Sequence, residues 1–237
     1  HEGGHALYEQ GLREEDRRTP LCQAISLGIH ESQSRMWENL IAQSKPFWDF
    51  YGNVLREYFP KQLANVSNEQ IFRAINHVQP TLRRLDADEC TYNLHIILRF
   101  EIEVDLIEGN LHVADVPEKW NALVKQYLGL DVPDDAHGCL QDVHWSHGAI
   151  GYFPTYTLGN LYAAQMLEQI QRDVPELWNQ VGEGNFCALL GWLRKNVHSV
   201  GRRKTAVELV RDITHAEPSS VPYLNYTESQ YTDLYRI

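Results

Sequence analysis

A mainly α-helical fold is predicted by the spacing of apolar residues and by the residues that bound the segments carrying them. Apolar side chains recur at positions i, i+3, i+4 and i+7 in one clear stretch, as Trp120, Leu123, Val124 and Tyr127. Asp115 and Pro117 precede this stretch in positions that favour a helix start, and Gly129 follows it as a stop. The chain has neither an internal repeat nor a Gly/Ser-rich linker, so residues 1–237 are predicted to form a single helical region.

The same start and stop signals predict further helices along the chain. One begins at Pro46 and ends before Pro60, and a long one runs from Asp88 to Glu108, where Gly109 closes it. Ile and Val residues also give the long segment some strand character. Four later helices are predicted at about 154–173, 186–199, 205–213 and 228–235.

The charge and the apolar content of the chain exclude several classes of partner. The 21 Lys and Arg residues face 32 Asp and Glu residues, and the resulting net charge of −11 disfavours binding to nucleic acid or anionic lipid. No apolar run is long enough to span a membrane, and the sequence shows no signal peptide. The four cysteines are widely spaced without a CxxC pair, as expected for reduced thiols in a cytoplasmic protein rather than for a cysteine zinc site.

The first five residues, HEGGH, carry the HExxH spacing of a zinc hydrolase. On a helix, His1 and His5 lie on one face and can bind one ion, while Glu2 is placed to take a proton from water as general base. The pattern also arises by chance among exposed polar residues, and Gly3 and Gly4 each weaken a helix by about 1 kcal/mol relative to alanine. From the spacing alone, a metal site and a coincidence both stay open.

A hydrolytic zinc site needs a third protein ligand, and Glu31 in the stretch GIHESQ is the candidate. Glu31 lies 30 residues after His1, a separation that allows a second helix to return beside the first. The alternative is a solvated glutamate in the first turn of a helix, where negative charge is favourable.

Several longer blocks contain these motifs and continue them along the chain. In order, they are HEGGHALYEQG, SLGIHESQSRMWEN, DADECTYNLH with LRFEIEVDLIEG, and GCLQDVHWSHGAIGYFPTYTLGN. This ordered set resembles the thermostable metallocarboxypeptidase family typified by carboxypeptidase Taq. The resemblance implies a multi-helix peptidase architecture with a substrate groove, and a homodimeric enzyme that removes C-terminal residues from peptides with broad specificity. Family members are longer and carry upstream motifs without a counterpart here, so the resemblance places this chain in the C-terminal, metal-bearing half.

The resemblance also implies roles for individual residues. The family's metal ligands are matched by His1, His5 and Glu31, and its general base is matched by Glu2. Zinc is the implied ion, with cobalt or another divalent metal as a substitute. Arg84, in RRLDAD, matches the arginine that holds the terminal carboxylate of the substrate, a task that suits a planar guanidinium. Arg83 stands where the family usually has an aliphatic residue.

The block GCLQDVHW and the aromatic stretch after it complete the implied site. Gln141 and Asp142 of this block are implied to bind substrate. Related metallopeptidases pair a histidine with a tyrosine about ten to twelve residues later to stabilise the tetrahedral intermediate. His144 and Tyr156 fit this spacing.

These residues also have ordinary structural explanations. Arg84 can pair with Asp86 or Asp88 on the surface, and His144 beside His147 can be a surface residue without a role. Two other functions stay open for the whole chain. One is a non-catalytic helical binding module with a silent metal site, and the other is a zinc endopeptidase.

Overall fold

The computed structural model describes all residues from His1 to Ile237, and it contains α-helices with short 3₁₀ and π segments but no β-strand. The predicted mainly α-helical fold is confirmed. None of the helices combines the length and the apolar content needed to cross a bilayer. The helices are α1 (Glu2–Gly11), α2 (Leu27–Arg35), α3 (Lys45–Tyr58), α4 (Asn68–Ile75), α5 (Glu89–Glu108), α6 (Val116–Leu128), α7 (Pro154–Asp173), α8 (Leu177–Gly182), α9 (Cys187–Asn196), α10 (Ala206–Thr214) and α11 (Val221–Tyr235).

Most of the predicted helix ends agree with the structure, and capping residues occupy several of them. The Asp88 carboxylate accepts a hydrogen bond from the backbone N–H of Thr91 at the start of α5, and Gly109 ends this helix with a φ of 77°. Gly129 ends α6 in the same left-handed conformation, although the Asp115 side chain makes no capping bond at the start of α6. The Ile and Val residues of α5 do not form a strand, because both ends of the segment are capped as a helix.

Four helices differ from the sequence-based expectation. Helix α11 begins at Val221, seven residues before the predicted 228, because Pro222 occupies a first-turn position that tolerates proline. Helix α9 ends at Asn196, three residues before the predicted 199, where the chain tightens into a 3₁₀ segment. Helices α4 and α8 have no predicted counterpart, although Ser67 and Gln70 form a capping box at the start of α4.

Backbone contacts divide the chain into two compact units. The first unit comprises His1–Asn76 and Leu158–Ile237, and the second comprises His77–Thr157. The boundary between them falls inside α7. The idea that residues 1–237 act as one catalytic region stays a prediction.

The first unit is built around an apolar core to which α2, α7 and α9 contribute. Burying one large aliphatic side chain contributes roughly 1.5–3 kcal/mol, so packing outweighs the helix propensity of any single segment. The completely buried aliphatic residues of this core are Ile29, Met36, Ala163, Met166, Ile170, Val181, Leu193, Val197 and Val210.

The second unit has its own core between α5 and α6. Three residues of the apolar stripe predicted on α6, Trp120, Leu123 and Val124, are buried there with Leu98 and Ile102 of α5, and the fourth, Tyr127, is partly buried. Arg99 on α5 is completely buried, and its guanidinium carbon lies 4.5 Å from the centre of the Trp120 ring. The packing of α6 therefore supports a charged residue inside the second unit.

Candidate functional site

The three predicted metal ligands converge in the first unit. His1 Nε2 and His5 Nε2 lie 3.3 Å apart. The Glu31 carboxylate lies 3.7 Å from His1 Nε2 through one oxygen and 3.5 Å from His5 Nε2 through the other. Glu31 is buried, whereas the two imidazoles are partly open to solvent. The alternative of a solvated glutamate at position 31 is therefore wrong.

The spacing of these atoms suits a small tetrahedral ion. Two ligand atoms that bind zinc at about 2.0–2.1 Å in tetrahedral geometry lie about 3.3–3.4 Å apart. The observed separations of 3.3, 3.5 and 3.7 Å come close to this value. The donor set of two imidazoles and one carboxylate is also that of a catalytic zinc site with one position left for water. These residues fit a divalent ion.

Helices α1 and α2 bring the ligands together by running antiparallel. Gly4 near the start of α1 lies against Gln33 near the end of α2. Further along α1, the Tyr8 hydroxyl accepts a hydrogen bond of 3.2 Å from the backbone N–H of Ile25, just before α2 begins. The start of α1 therefore packs beside the end of α2, and this arrangement brings Glu31 of α2 next to His1 and His5.

Two glycines permit the close approach of backbones around Glu31. A Cβ atom on Gly4 would lie 2.6 Å from the Gln33 carbonyl oxygen and 2.6 Å from Ser34 Cα. A Cβ atom on Gly159 in α7 would lie 2.6 Å from Glu31 Cγ. Any side chain at these two positions would therefore move α2 or the Glu31 carboxylate.

Glu38 and Arg35 form hydrogen bonds to two of the candidate ligands, His1 and Glu31. The His1 Nδ1–H donates to the Glu38 carboxylate at 2.7 Å, which leaves Nε2 of His1 free to bind an ion. Arg35 Nε donates to Glu31 at 2.9 Å, and its Nη1 lies 3.4 Å from Glu38. The hydrogen bond to Glu38 raises the pKa of His1 above its usual value.

His30 and Glu9 lie on the other side of His5. The Nδ1 atoms of His5 and His30 are 2.6 Å apart, and His30 Nε2 donates to the Glu9 carboxylate at 2.9 Å. Burial lowers the pKa of His5, while the charges of Glu31 and Glu2 oppose this shift. Glu2 itself lies in the first turn of α1 with an exposed side chain.

The residues that surround the ligands are absent from the predicted site. They are Glu9, His30, Arg35 and Glu38. The sequence contains a partial signal for them, since Glu9 follows His5 by four positions and Arg35 follows Glu31 by four, which places each pair on one helix face. The contact between His30 and His5 joins two helices and has no local signal.

A second cluster of predicted residues lies in the second unit, around Arg84. Arg84 is buried, and its Nε and Nη2 both donate to one Asp142 oxygen, at 3.0 and 2.8 Å. Its Nη1 donates to the Tyr92 hydroxyl at 3.1 Å, and the guanidinium carbon lies 5.0 Å from the centre of the Tyr156 ring. A guanidinium has five N–H donors, so one on Nη1 and one on Nη2 remain for a ligand.

Asp142 joins two buried guanidinium groups. One of its oxygens accepts from Arg84, and the other accepts from Arg99 Nε at 2.7 Å. Burial alone would raise the pKa of Asp142, but the charges of Arg99 and Arg84 hold it below its usual value. Burial lowers the pKa of Arg99 to about 10, so both guanidinium groups are charged at neutral pH.

The side-chain amide of Gln141 forms hydrogen bonds to the protein backbone. Its side-chain oxygen accepts from the backbone N–H of Arg84 at 2.9 Å, and its Nε2 donates to the Leu82 carbonyl at 3.0 Å. Gln141 and Asp142 thus both hold Arg84 in place. Direct contact of either side chain with substrate stays a prediction.

His144 and Tyr156, predicted as a pair, are brought together. His144 Nε2 and the Tyr156 hydroxyl are 3.0 Å apart. Burial lowers the pKa of His144, and the charge of Arg84 acts in the same direction. The loop that carries His144 is fixed by buried Glu103, which accepts from the Trp145 indole N–H at 2.8 Å and from the Gly151 backbone N–H at 3.1 Å.

The structure contradicts the two alternative explanations considered for Arg84 and His144. Arg84 pairs with Asp142, whose side chain is only 10% exposed, rather than with Asp86 or Asp88, and Arg83 pairs with Asp86 on the surface. His144 is partly buried against Phe153 and Tyr156 and is not an unpaired surface residue.

One cavity in the first unit lies apart from the candidate residues. It measures about 740 Å³ and is lined by parts of α3, α4, α7, α8 and α11. None of the predicted ligands lines it, so we assign it no part in the chemistry.

Comparison with known proteins identifies the family. The sequence profile of the carboxypeptidase Taq (M32) metallopeptidases matches residues 1–231. The chain belongs to this M32 family. It is 46% identical to thermostable carboxypeptidase 1 of Thermus thermophilus, over 99% of this chain and 46% of that protein. It is 41% identical to carboxypeptidase 1 of Bacillus subtilis, over 99% of this chain and 47% of that protein.

Solved structures of M32 carboxypeptidases share the fold. The enzyme from Deinococcus radiodurans R1 matches with a TM-score of 0.97 at 46% identity, over 100% of this chain and 48% of that one. The Pyrococcus furiosus carboxypeptidase matches with a TM-score of 0.94 at 38% identity, over 97% of this chain and 46% of that one. The predicted family resemblance is confirmed. The chain spans about half the length of the curated relatives that it matches.

Replacement of Gly4 by alanine is expected to disturb the ligand cluster, whereas Gly3→Ala is not. The added methyl group at position 4 meets the α2 backbone, and overpacking of this kind costs about 1–3 kcal/mol. No atom lies within 4 Å of a Cβ at position 3, so Gly3→Ala should stabilise α1 by up to about 1 kcal/mol. Chemical denaturation and zinc titration of both variants measure the difference. Equal behaviour of the two variants would show that close backbone approach is not required.

Asp142→Asn should destabilise the second unit much more than Asp86→Asn does. Removing one partner of a buried ion pair costs about 3–5 kcal/mol, whereas an exposed pair such as Arg83 with Asp86 contributes about 0–1 kcal/mol. Because the folded-state pKa of Asp142 is lowered, its stabilisation is present above the unfolded-state pKa and is lost as the pH falls through the folded-state value.

Denaturation of these two variants and of the wild type, measured from neutral to acidic pH, tests this expectation. The gap between wild type and Asp142→Asn should narrow as the medium becomes acidic. A gap that stays constant down to the acid-unfolded range would contradict the assigned charge state of Asp142.

Proposed function

We propose that the protein is a zinc-dependent metallocarboxypeptidase that removes C-terminal residues from peptides with broad specificity. The observation that carries this proposal is the convergence of His1 Nε2, His5 Nε2 and the Glu31 carboxylate in a chain of the M32 family. The names of the curated relatives, all carboxypeptidases, support the reaction class. Peptides with a free C-terminal carboxylate are the proposed substrates.

The proposed zinc ligands are His1, His5 and Glu31. A divalent ion held there supplies Lewis acidity that polarises a carbonyl group and makes a water molecule more acidic. The chain keeps Nε2 of His1 available for this purpose, because Glu38 accepts the hydrogen of Nδ1. Arg35 orients the buried Glu31 carboxylate through its bond to Oε1.

Glu2 is the proposed general base. It is adjacent to His1 in the chain, and its exposed carboxylate is accessible to a proton from water. A carboxylate in this role takes the proton from the attacking water and passes it to the departing amine.

Arg84 is the proposed binding group for the terminal carboxylate of the substrate. Asp142 and Tyr92 fix the guanidinium plane, and one N–H on each terminal nitrogen remains for a ligand. A fixed, planar donor pair suits recognition of a carboxylate. Gln141 supports this role by accepting from the Arg84 backbone N–H.

His144 and Tyr156 are the proposed donors to the developing oxyanion. A lowered pKa keeps His144 neutral near neutral pH, and its hydrogen bond to Tyr156 holds both polar groups in one place. Preorganised donors of this kind stabilise charge in the transition state more effectively than water does. A homodimer and a cytoplasmic location complete the proposal as predictions.

Glu2→Gln should abolish most of the activity without loss of zinc. The amide cannot take a proton, and loss of a general base lowers the rate by about 10²–10⁴-fold. The assay is release of the terminal residue from an N-blocked dipeptide by the protein at its natural full length, together with elemental analysis for zinc. Glu14→Gln, at an exposed glutamate paired with Arg17, is the matched control and should keep full activity. A wild-type protein that binds zinc but releases no residue would support the non-catalytic module instead.

Arg84→Lys should weaken turnover of substrates with a free carboxylate. Lysine keeps the charge beside Asp142 but loses the fork, and loss of a hydrogen bond to a charged group lowers kcat/KM by about 10–100-fold. Arg83→Lys on the neighbouring surface is the control. The same peptides with a C-terminal amide distinguish a carboxypeptidase from an endopeptidase. If the protein is an endopeptidase, wild type, Arg84→Lys and Arg83→Lys should each cleave the amide and free-carboxylate forms equally well. Full efficiency of Arg84→Lys on free-carboxylate peptides would remove Arg84 from the proposed role.

A further inference from the structure

A line of hydrogen bonds begins at Nδ1 of His5, the ring nitrogen on the side away from the candidate metal site. The first link joins the Nδ1 atoms of His5 and His30 at 2.6 Å, and the second joins His30 Nε2 to a Glu9 carboxylate oxygen at 2.9 Å. The line ends at the solvent-exposed side of α1, because the Glu9 side chain is largely exposed. Glu9 stands four positions after His5 on the same helix, whereas His30 comes from α2.

The chemistry of the two ends fixes the direction of these bonds. A carboxylate only accepts hydrogen bonds, so His30 carries its hydrogen on Nε2. A neutral His30 then has a lone pair on Nδ1 and accepts the hydrogen of His5 Nδ1. His5 is left with its own lone pair on Nε2, the atom that lies 3.3 Å from His1 Nε2 and 3.5 Å from Glu31.

The His30 ring is held in the orientation that this line requires. Its ring centre lies 4.6 Å from that of His5 and 5.3 Å from that of Tyr8. Tyr8 is completely buried, and its hydroxyl is bonded to the Ile25 backbone, so it forms a rigid support for His30. A freely rotating imidazole at position 30 would not present Nδ1 to His5 consistently.

The two histidine ligands are thus oriented by different means. His1 donates directly to the Glu38 carboxylate. His5 has no carboxylate acceptor in contact with Nδ1 and depends on His30, which Glu9 orients in turn. Loss of either member of this pair would allow His5 to carry its hydrogen on Nε2, where it blocks metal binding.

We propose that His30 and Glu9 are positioning residues that hold His5 in the tautomer with its hydrogen on Nδ1 and Nε2 open for metal binding. This inference rests on the proposed function, because it assigns a metal to the His1, His5 and Glu31 cluster. It assigns no contact with substrate to either residue. Their contribution is to metal affinity, and through it to activity.

Zinc affinity of the protein at its natural full length tests the proposal. Competition with a chelator gives the zinc dissociation constant for wild type, His30→Leu, His30→Gln, Glu9→Ala and Glu9→Gln. Changes behind a metal-binding histidine usually weaken affinity by about 10–100-fold, and we expect this loss for His30→Leu. His30→Gln should recover most of the affinity, because its amide accepts from His5 through the oxygen and donates to Glu9 through the nitrogen.

The Glu9 variants keep the test decisive if His30→Leu does not fold. Glu9 is largely exposed, so its replacement leaves the core intact. Glu9→Ala should weaken zinc binding more than Glu9→Gln, which retains an oxygen that accepts from His30. His137→Leu is the matched control, since it removes a histidine bonded to a carboxylate at 2.8 Å far along the chain from the ligands. Equal zinc affinity in wild type and Glu9→Ala, or no recovery from leucine to glutamine at position 30, would overturn the inference.

Nitrogen-15 spectroscopy of the imidazoles gives a readout that a purely structural role would not move. In the zinc-loaded wild type we expect hydrogen on Nδ1 of His5 and on Nε2 of His30. Hydrogen on Nδ1 of His30 would reverse the direction of the line and overturn the inference. A wild-type protein that binds zinc and releases C-terminal residues while these variants match it would reject the inference alone, whereas a wild type that binds no divalent ion would reject the proposed function as well.

Discussion

The backbone contact between α1 and α2 at Gly4 is the constraint on which the candidate metal centre depends. Helix α1 has ten residues and contains glycines at positions 3 and 4. Isolated helices shorter than about 12–15 residues are marginal in water, so α1 forms stably only against its neighbours. The glycine that weakens the helix is also the residue that permits the close approach. The three ligands consequently meet only in the folded chain, and any free energy of metal binding also stabilises the fold.

Long-range contacts organise the second unit in a similar way. Asp142, from a loop, binds Arg84 near the start of the unit and Arg99 in the middle of α5. Gln141, adjacent to Asp142, returns to the Arg84 backbone, while Glu103 fixes the loop through Trp145. Helix α5 thus carries two buried charged residues whose partners lie in the loop. That loop has little regular secondary structure, and the hydrogen bonds of its side chains fix its position.

Local signals in the sequence predict the helices well and the surroundings of the ligands poorly. Caps such as Asp88, Gly109 and Gly129 mark helix ends because they act within one turn. The early start of α11 escapes prediction because proline at a first-turn position reads equally well as a turn. Glu31 is predicted as a ligand by family resemblance, and its burial against Gly159 depends on a helix distant in sequence. His30 and Glu38 act through contacts with His5 and His1 of a distant segment, which spacing within one segment does not encode, whereas Arg35 contacts Glu31 within α2.

The sharing of one carboxylate by two guanidinium groups has a consequence for the charge balance of the second unit. The phenols of Tyr92 and Tyr156 and the imidazole of His95 also act on Arg84, and burial lowers the pKa of His95 to about 4, so this imidazole adds no positive charge at neutral pH. Arg84, Arg99 and Asp142 therefore form a triad with one excess positive charge inside the protein. A monoanion arriving at Arg84 would neutralise the triad, whereas a neutral amide would leave it cationic and less solvated than in water. Under the proposed function, recognition at Arg84 would then depend on the charge of the chain end and not on the side chain beside it.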